Sequence, residues 1–284
     1  MKGSDLISQA KNTWCPGCGN FVIQHALKDV LVRRHEDGHR IEQFVLVAGI
    51  GQHAKIFDFM NLNGFYSLHG RTIPVATGIR LANPDLKVLC IAGDGDCYAE
   101  GLDHLIFAAK RNLDITVIVN DNRVYGLTTG QFTPTSVSGF RGRSTPDGEK
   151  EPPLNPLLLA LSAGATFIAR GYTGRSEQLK DLIGMALEHR GFSIVEVLQI
   201  CATYNDLTGY YDERVYAWDE EGLSDFDSAI GRAREWDYNA DARIGLGVLF
   251  RQQKPVFEES YPVPGKQTVR DRNEAIRKFL RERS

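Results

Sequence analysis

The chain has 284 residues, 42% hydrophobic and 24% charged, which is ordinary for a folded protein with ample core in one large domain or two small ones. A net charge of −3 argues for neither a nucleic-acid nor a membrane-surface partner. No apolar run approaches the roughly 20 residues of a membrane span, and the polar start Met1-Lys2-Gly3-Ser4-Asp5 lacks a signal-peptide core, so a cytoplasmic protein is expected.

The first feature along the chain is Trp14-Cys15-Pro16-Gly17-Cys18-Gly19, a Cys-x-x-Cys turn before a helical pattern from Phe21 to Val32. A dithiol redox pair would want a preceding strand, zinc a second Cys or His pair, and an iron–sulfur cluster further thiolates from elsewhere. Phe44 to Val47 reads as a strand and Pro74 to Ala82 as a helix. The apolar run Val88 to Ala92 then ends in Gly93-Asp94-Gly95-Asp96, Tyr98 to Asn112 is an amphipathic helix, and Ile115 to Val119 is a second apolar strand. Asn122 follows it, 28 positions after Asp94 (122 − 94).

This βαβ unit brings both polar strand ends to one sheet edge. Gly-Asp-Gly alone is common in plain turns, but a carboxylate and a later amide on neighbouring strand ends offer Mg²⁺ the hard oxygens it prefers. Glycines there let the backbone approach a diphosphate. The loop Tyr125 to Gln131, with two glycines and two hydroxyls, suits a phosphate nest.

Beyond it, Pro134 to Pro153 is long for a loop and reads either as a functional or partner-bound excursion or as a mobile solvent loop. Pro156 to Ser162 and Glu177 to His189 look helical, and Thr166 to Ala169 and Ser193 to Leu198 look like strands. The alternation predicts an α/β fold, an open, mostly parallel sheet with helices on both faces. Residues 1–203 are expected to form this domain. Residues 204–284 carry aromatics and many charges with weak periodicity, so they are expected to bury poorly alone, to wrap a partner as an extended tail, and to end in a charged helix from Val269 to Arg281. Five cysteines do not make a disulfide framework. Cys90 reads as a small buried hydrophobe, whereas Cys97, beginning a helix, could have a lowered thiol pKa. Cys201 follows a strand and so shares the carboxyl edge of the sheet.

The Gly-Asp-Gly and later asparagine resemble the motif of the thiamine diphosphate enzymes. The resemblance implies Mg²⁺ contacts from Asp94, the Asn122 side chain and the Val124 carbonyl. It also implies diphosphate contacts from Gly93, Gly95, Asp96 and the loop Gly126-Leu127-Thr128-Thr129, with Gly51 and His69 nearby. The flanking pieces are more specific. Trp14 to Gly19, Gly49-Ile50-Gly51, Leu68-His69-Gly70-Arg71, Asp121 to Thr128, Thr129 to Ser136 and Asp212-Glu213-Arg214-Val215-Tyr216 stand in order. Together they resemble the β subunit of 2-oxoacid:ferredoxin oxidoreductases from near the start to about Tyr261.

That resemblance implies thiamine diphosphate, Mg²⁺ and one 4Fe–4S cluster in this subunit, and an α or α-plus-γ chain that completes the active site. The implied reaction is oxidative decarboxylation of a 2-oxoacid, 2-oxoglutarate or pyruvate. The thiazolium ring takes the electron pair, electrons leave singly through the cluster to ferredoxin, and the acyl group passes to coenzyme A. Lys55 would face the substrate carboxylate, His69 with Arg71 the diphosphate or substrate, and Leu127 the substrate pocket. Cys15, Cys18 and Cys201 match cluster positions.

One departure is Gln52, where the family usually carries a third cluster cysteine after Gly-Ile-Gly. His53, Gln52 or a small molecule is then expected as the fourth ligand. The departure also keeps open a non-oxidative decarboxylase subunit without a cluster, and a non-catalytic metal-binding scaffold in which Asp94→Ala would leave activity intact. His25, His35, His39, His104 and His189 are given no functional role.

Overall fold

A computed structural model describes residues 1–260 and 269–282. Part of the predicted extension, residues 261–268 and 283–284, lies outside the described residues.

The strands are β1 (Phe44–Ala48), β2 (Asn63–Tyr66), β3 (Lys87–Gly93), β4 (Thr116–Asp121), β5 (Phe167–Tyr172), β6 (Ser193–Leu198), β7 (Val215–Ala217) and β8 (Ile244–Arg251). The helices are α1 (Asn20–Glu36), α2 (Ile56–Phe59), α3 (Thr72–Ala82), α4 (Leu102–Arg111), α5 (Pro156–Ala163), α6 (Ser176–Glu188), α7 (Thr208–Arg214), α8 (Phe226–Glu235) and α9 (Val269–Arg281). One eight-stranded sheet runs β2-β1-β3-β4-β6-β5-β8-β7. From β2 to β5 every pairing is parallel, and β8 runs antiparallel to β5.

The central strands β3 and β4 read as largely apolar runs because both faces are covered, while β6 carries the buried Glu196 among apolar residues. On β3, Val88, Cys90 and Ala92 face one core, where Ile73 of α3, Leu105 of α4, Leu157 of α5 and Ala229 of α8 pack. Leu89 and Ile91 face the other, against Leu27 and Leu31 of α1 and Leu182 and Ile183 of α6. The predicted α/β sheet with helices on both faces is therefore present. The chain leaves β1 toward β2 and β3 toward β4, so the carboxyl ends of β1 and β3 diverge and open a crevice.

Two expectations are corrected. The helix predicted from Tyr98 begins instead as a π-helical turn, Gly95–Glu100, and breaks at Gly101 before α4. A Cβ at Gly101 would stand 2.9 Å from the Asp96 carbonyl, so the join needs glycine. Residue 203 also does not end the packed unit. β8 extends the sheet, Ala233 and Leu249 join the core of β3, and Tyr211, Trp236 and Tyr238 are fully buried. These aromatics escaped periodicity because they lie in short elements and turns. Among the described residues, no helix is long and apolar enough to cross a membrane.

His189, just past α6, is buried against Phe167, with Nε2 2.8 Å from the Thr166 hydroxyl. Burial, then the charge of Arg251, pushes its pKa from 6.5 down to about 4. The fold thus favours neutral imidazole. This contribution is complete above pH 6.5 and is lost as pH falls through about 4. In His189→Gln the fall in thermal midpoint between those two pH values should be smaller than in wild type. Equal falls would show that His189 does not set the acid limb.

Candidate active site

The crevice holds a cavity of about 1020 Å³. Its wall is built from the β1 end (Ile50 to His53), the β3 end (Gly93 to Asp96), Asn120 of β4 and Asn122 just past it, the loop Tyr125 to Thr128, and parts of the excursion 131–154. The excursion is ordered by its own backbone: Gly139 N–H donates to the Glu149 carbonyl and Glu149 N–H to the Phe140 carbonyl. Glu149, Glu151 and Leu154 thereby become cavity wall, which favours the functional reading of this segment.

Asp94 is buried at the floor. The Thr135 hydroxyl stands between it and Asp121, 3.3 Å from Asp94 Oδ2 and 2.8 Å from Asp121 Oδ1. Burial pushes Asp94 up to about 6. It drives Asp121 well above the carboxylate range, with Asp94 and Glu196 adding repulsion. The buried Arg123 behind this corner pulls Asp121 only partly back down. Asn122 lies beside it on the cavity wall, its Oδ1 accepting the Val124 N–H at 3.1 Å with a lone pair to spare. A buried carboxylate, an amide oxygen and the nearby Val124 carbonyl fit Mg²⁺ by donor type. Among the described residues no three His, Cys, Asp or Glu converge on one ion, which such a mixed site does not require.

Asp96 does something different from what its motif position suggests. Its Oδ1 accepts the Gly70 N–H at 2.7 Å and the Ile50 N–H at 3.3 Å, and its Oδ2 accepts the Thr72 hydroxyl at 3.3 Å. Burial alone would raise its pKa, yet the pairing with His53 and these donors hold it low. Asp96 is a brace joining three loops at the edge of the cavity. His69 Nε2 is 3.9 Å from its Oδ1, and the His69 ring stands 6.0 Å from that of Tyr125.

The phosphate-nest loop is closed by Tyr125 N–H to the Gln131 carbonyl and Gly130 N–H to the Tyr125 carbonyl. Gly126, Leu127 and Thr128 line the cavity, and Leu127 is 44% exposed. Thr129 is held in the left-handed region at φ 77°, and its hydroxyl accepts from Arg143. Thr129 and Lys55 are not among the wall residues; Lys55 ends a 3-10 turn below it.

The Cys15–Cys18 turn packs on the segment after β6. The Thr203 hydroxyl is 3.6 Å from Cys15 Sγ, and a Cβ at Gly17 would lie 3.7 Å from that of Ala202. Burial raises the Cys18 thiol, and the neighbouring Cys201 and Cys15 raise it further. Cys201 Sγ is 3.5 Å from where a side chain at Gly126 would begin. The three thiols predicted as ligands are thus brought together beside the cavity. Thiolates of a cubane each bind a different iron and so stand farther apart than ligands of one ion. The Trp14 indole donates to the Gln52 carbonyl at 2.7 Å, and Gln52 Oε1 is shut off from solvent without a partner. The His53 ring, next to Gln52 in the chain, lies against Gly93 with Nε2 toward Asp96, on the cavity side. Cys97 is resolved as inert, since full burial raises its thiol.

Sequence reading missed the layer behind the metal corner. Arg123, at φ 59° and buried, donates from Nε to the Thr135 carbonyl at 2.6 Å and from Nη2 to the Tyr238 carbonyl. Its only sequence signal was a position next to Asn122.

Comparison with known proteins agrees with this geometry. Residues 49–197 match the family described as thiamine pyrophosphate enzyme, C-terminal TPP binding domain. Residues 201–265 match the family described as the C terminal of the pyruvate ferredoxin oxidoreductase beta subunit. The chain is 41% identical over 265 residues to a 2-oxoacid:ferredoxin oxidoreductase subunit beta of Sulfolobus sp, covering 87% of this chain and 85% of that one. To the Saccharolobus solfataricus subunit of the same description it is 44% identical over 249 residues, covering 86% and 80%. Its fold is similar to a solved 2-oxoglutarate:ferredoxin oxidoreductase from Magnetococcus marinus, which has 2-oxoglutarate, coenzyme A and succinyl-CoA bound. The TM-score is 0.88 at 33% identity, over 97% of this chain and 95% of that one. With a thiamine pyrophosphate-binding domain model matched and relatives covered over most of their length, the chain belongs to the beta subunits of the thiamine diphosphate-dependent 2-oxoacid:ferredoxin oxidoreductases.

Proposed function

We propose that this subunit serves the oxidative decarboxylation of a 2-oxoacid, 2-oxoglutarate or pyruvate, to acyl-coenzyme A and carbon dioxide, with ferredoxin as acceptor. The observation that carries this reading is adjacency: the Cys201 sulfur sits behind Gly126, a wall residue of the thiamine cavity. An electron carrier there would be one loop away from the cofactor.

Thiamine diphosphate, when bound, supplies a sink for the electron pair released with carbon dioxide. Asp94, Asn122 and the Val124 carbonyl would hold Mg²⁺. Gly93, Gly95 and Gly126 let the backbone approach the diphosphate, and Thr128 brings a hydroxyl to the wall on its loop, with Thr129 shaping that loop behind it. Asp96 braces the loops around it. His69 and Leu127 face the substrate, and Lys55, at the end of the turn after Gln52, is the cation for its carboxylate. Cys15, Cys18 and Cys201 would carry a 4Fe–4S cluster passing single electrons, and Gln52 Oε1, buried and unpartnered, is a fourth ligand within this chain. A separate α or α-plus-γ subunit would complete the pocket, and the exposed Ile276 and Leu280 of α9 suit docking on it.

The test is product analysis on the complete complex under anaerobic conditions. Acyl-coenzyme A formed together with a reduced low-potential acceptor supports the reading. Aldehyde without acceptor reduction, in a complex purified without iron, would establish the non-oxidative alternative that Gln52 leaves open. A companion variant, Gln52→Cys, should retain more iron per chain after desalting and sharpen the EPR signal of the reduced protein. If its iron content equals that of wild type, position 52 does not face the cluster.

A further inference from the structure

A cavity that takes a diphosphate has no lysine or arginine among the described residues of its wall. The wall side chains able to carry positive charge are His53 and His69.

His53 is the more constrained of the two. Its ring lies in a slot between two strand ends. A Cβ at Gly51 would come within 2.6 Å of its Cε1, and one at Gly93 within 2.6 Å of its Nδ1. Carbon atoms do not approach so closely, so both positions must be glycine for the ring to lie there. Gly93 is also the first residue of the turn that receives the diphosphate.

The ring is oriented as well as housed. Nε2 stands 3.5 Å from Asp96 Oδ2, beyond a formed hydrogen bond, and has no other partner. Asp96 cannot swing away, because Gly70, Ile50 and Thr72 hold it. With Nε2 directed at Asp96, the Nδ1 edge is left at the Gly93 turn. The His53 side chain is 8% exposed, and the atom shut off without a partner is Nε2, so Nδ1 is the ring nitrogen that a ligand in the cavity can reach.

We infer that His53, oriented by Asp96, binds the diphosphate of thiamine diphosphate through its Nδ1 edge and is not an iron ligand. The inference rests on the thiamine-site reading given above. It explains why an imidazole occupies a slot that two glycines on different strands must vacate.

The test uses the complete complex carrying His53→Ala or His53→Gln. The dissociation constant of thiamine diphosphate is measured at saturating Mg²⁺, and iron, acid-labile sulfide and the EPR spectrum are measured on the same samples. His53→Ala is expected to weaken binding about tenfold, equivalent to about 1.4 kcal/mol. His53→Gln, which keeps a donor, should fall between it and wild type, and iron content should be unchanged in both. If His53→Ala fails to assemble, His53→Gln decides by the same two readouts. Binding within twofold of wild type overturns the inference, and so does loss of iron with binding intact, which would place His53 at the cluster. A wild-type complex that bound no thiamine diphosphate would instead sink the underlying reading.

Discussion

Asp94→Ala is expected to lower turnover of a 2-oxoacid by about a thousandfold, the equivalent of about 4 kcal/mol, because it removes the carboxylate that would hold the metal against the diphosphate. The same change should not destabilise the metal-free chain. Burial already drives Asp94 up to about 6, so at neutral pH its charge is held against desolvation and beside Asp121. Thermal melts separate the two effects. Adding Mg²⁺ and thiamine diphosphate should raise the midpoint of wild type and leave that of Asp94→Ala unmoved, while the two metal-free midpoints stay close. Activity that survives the substitution would support the scaffold alternative, in which Asp94 is only a turn residue.

The largest expected loss of stability lies behind the site. Arg170 on β5 and Glu196 on β6 are register partners, both fully buried, and Arg170 Nε donates to Glu196 Oε2 at 2.8 Å. The Tyr238 hydroxyl donates to Glu196 at 2.6 Å and accepts from Arg170 Nη2 at 3.0 Å. The guanidinium also lies 5.0 Å from the Trp236 ring. Arg170→Met would leave Glu196 charged and unpaired near Asp121. Breaking a buried pair in this way costs about 3–5 kcal/mol. Arg170→Met combined with Glu196→Gln should recover much of that loss, since the stranded charge is gone. Urea unfolding of the three chains measures it. A single-variant loss under about 1 kcal/mol would mean that water or a proton already relieves Glu196.

Local order along the chain made the thiamine end legible. Gly93 to Asp96 and Asn122 were readable because the chemistry needs small residues and hard oxygens at strand ends, and one βαβ unit carries both. Ser193–Leu198 was predicted to the residue because its Ile, Val and Leu residues favour a strand, although Glu196 interrupts the apolar run. Cys15 and Cys18 were visible as a pair, while their place beside Cys201 was supplied by resemblance alone. It took the folded chain to put the Cys201 sulfur behind Gly126.

Where long-range pairing decides the outcome, the linear pattern failed. β8 is broken by Gly245 and Gly247, the latter at φ 132°, so its periodicity is weak, yet antiparallel pairing with β5 brings it, and β7 beside it, into the sheet. Asp96 looks like a second diphosphate contact until Gly70, Ile50 and Thr72 are seen to occupy its oxygens. His53 was indistinguishable from an iron ligand because both roles want an imidazole next to Gln52. Its direction is set by a slot formed from Gly51 and Gly93, which lie 42 residues apart (93 − 51) and meet only across the sheet edge. Residue type and spacing along one strand–helix–strand unit therefore pointed to a metal and a diphosphate at one sheet edge, and resemblance supplied the thiamine. Which way each polar side chain faces was decided by contacts between distant segments, because that choice depends on donors and free volume that no local stretch contains.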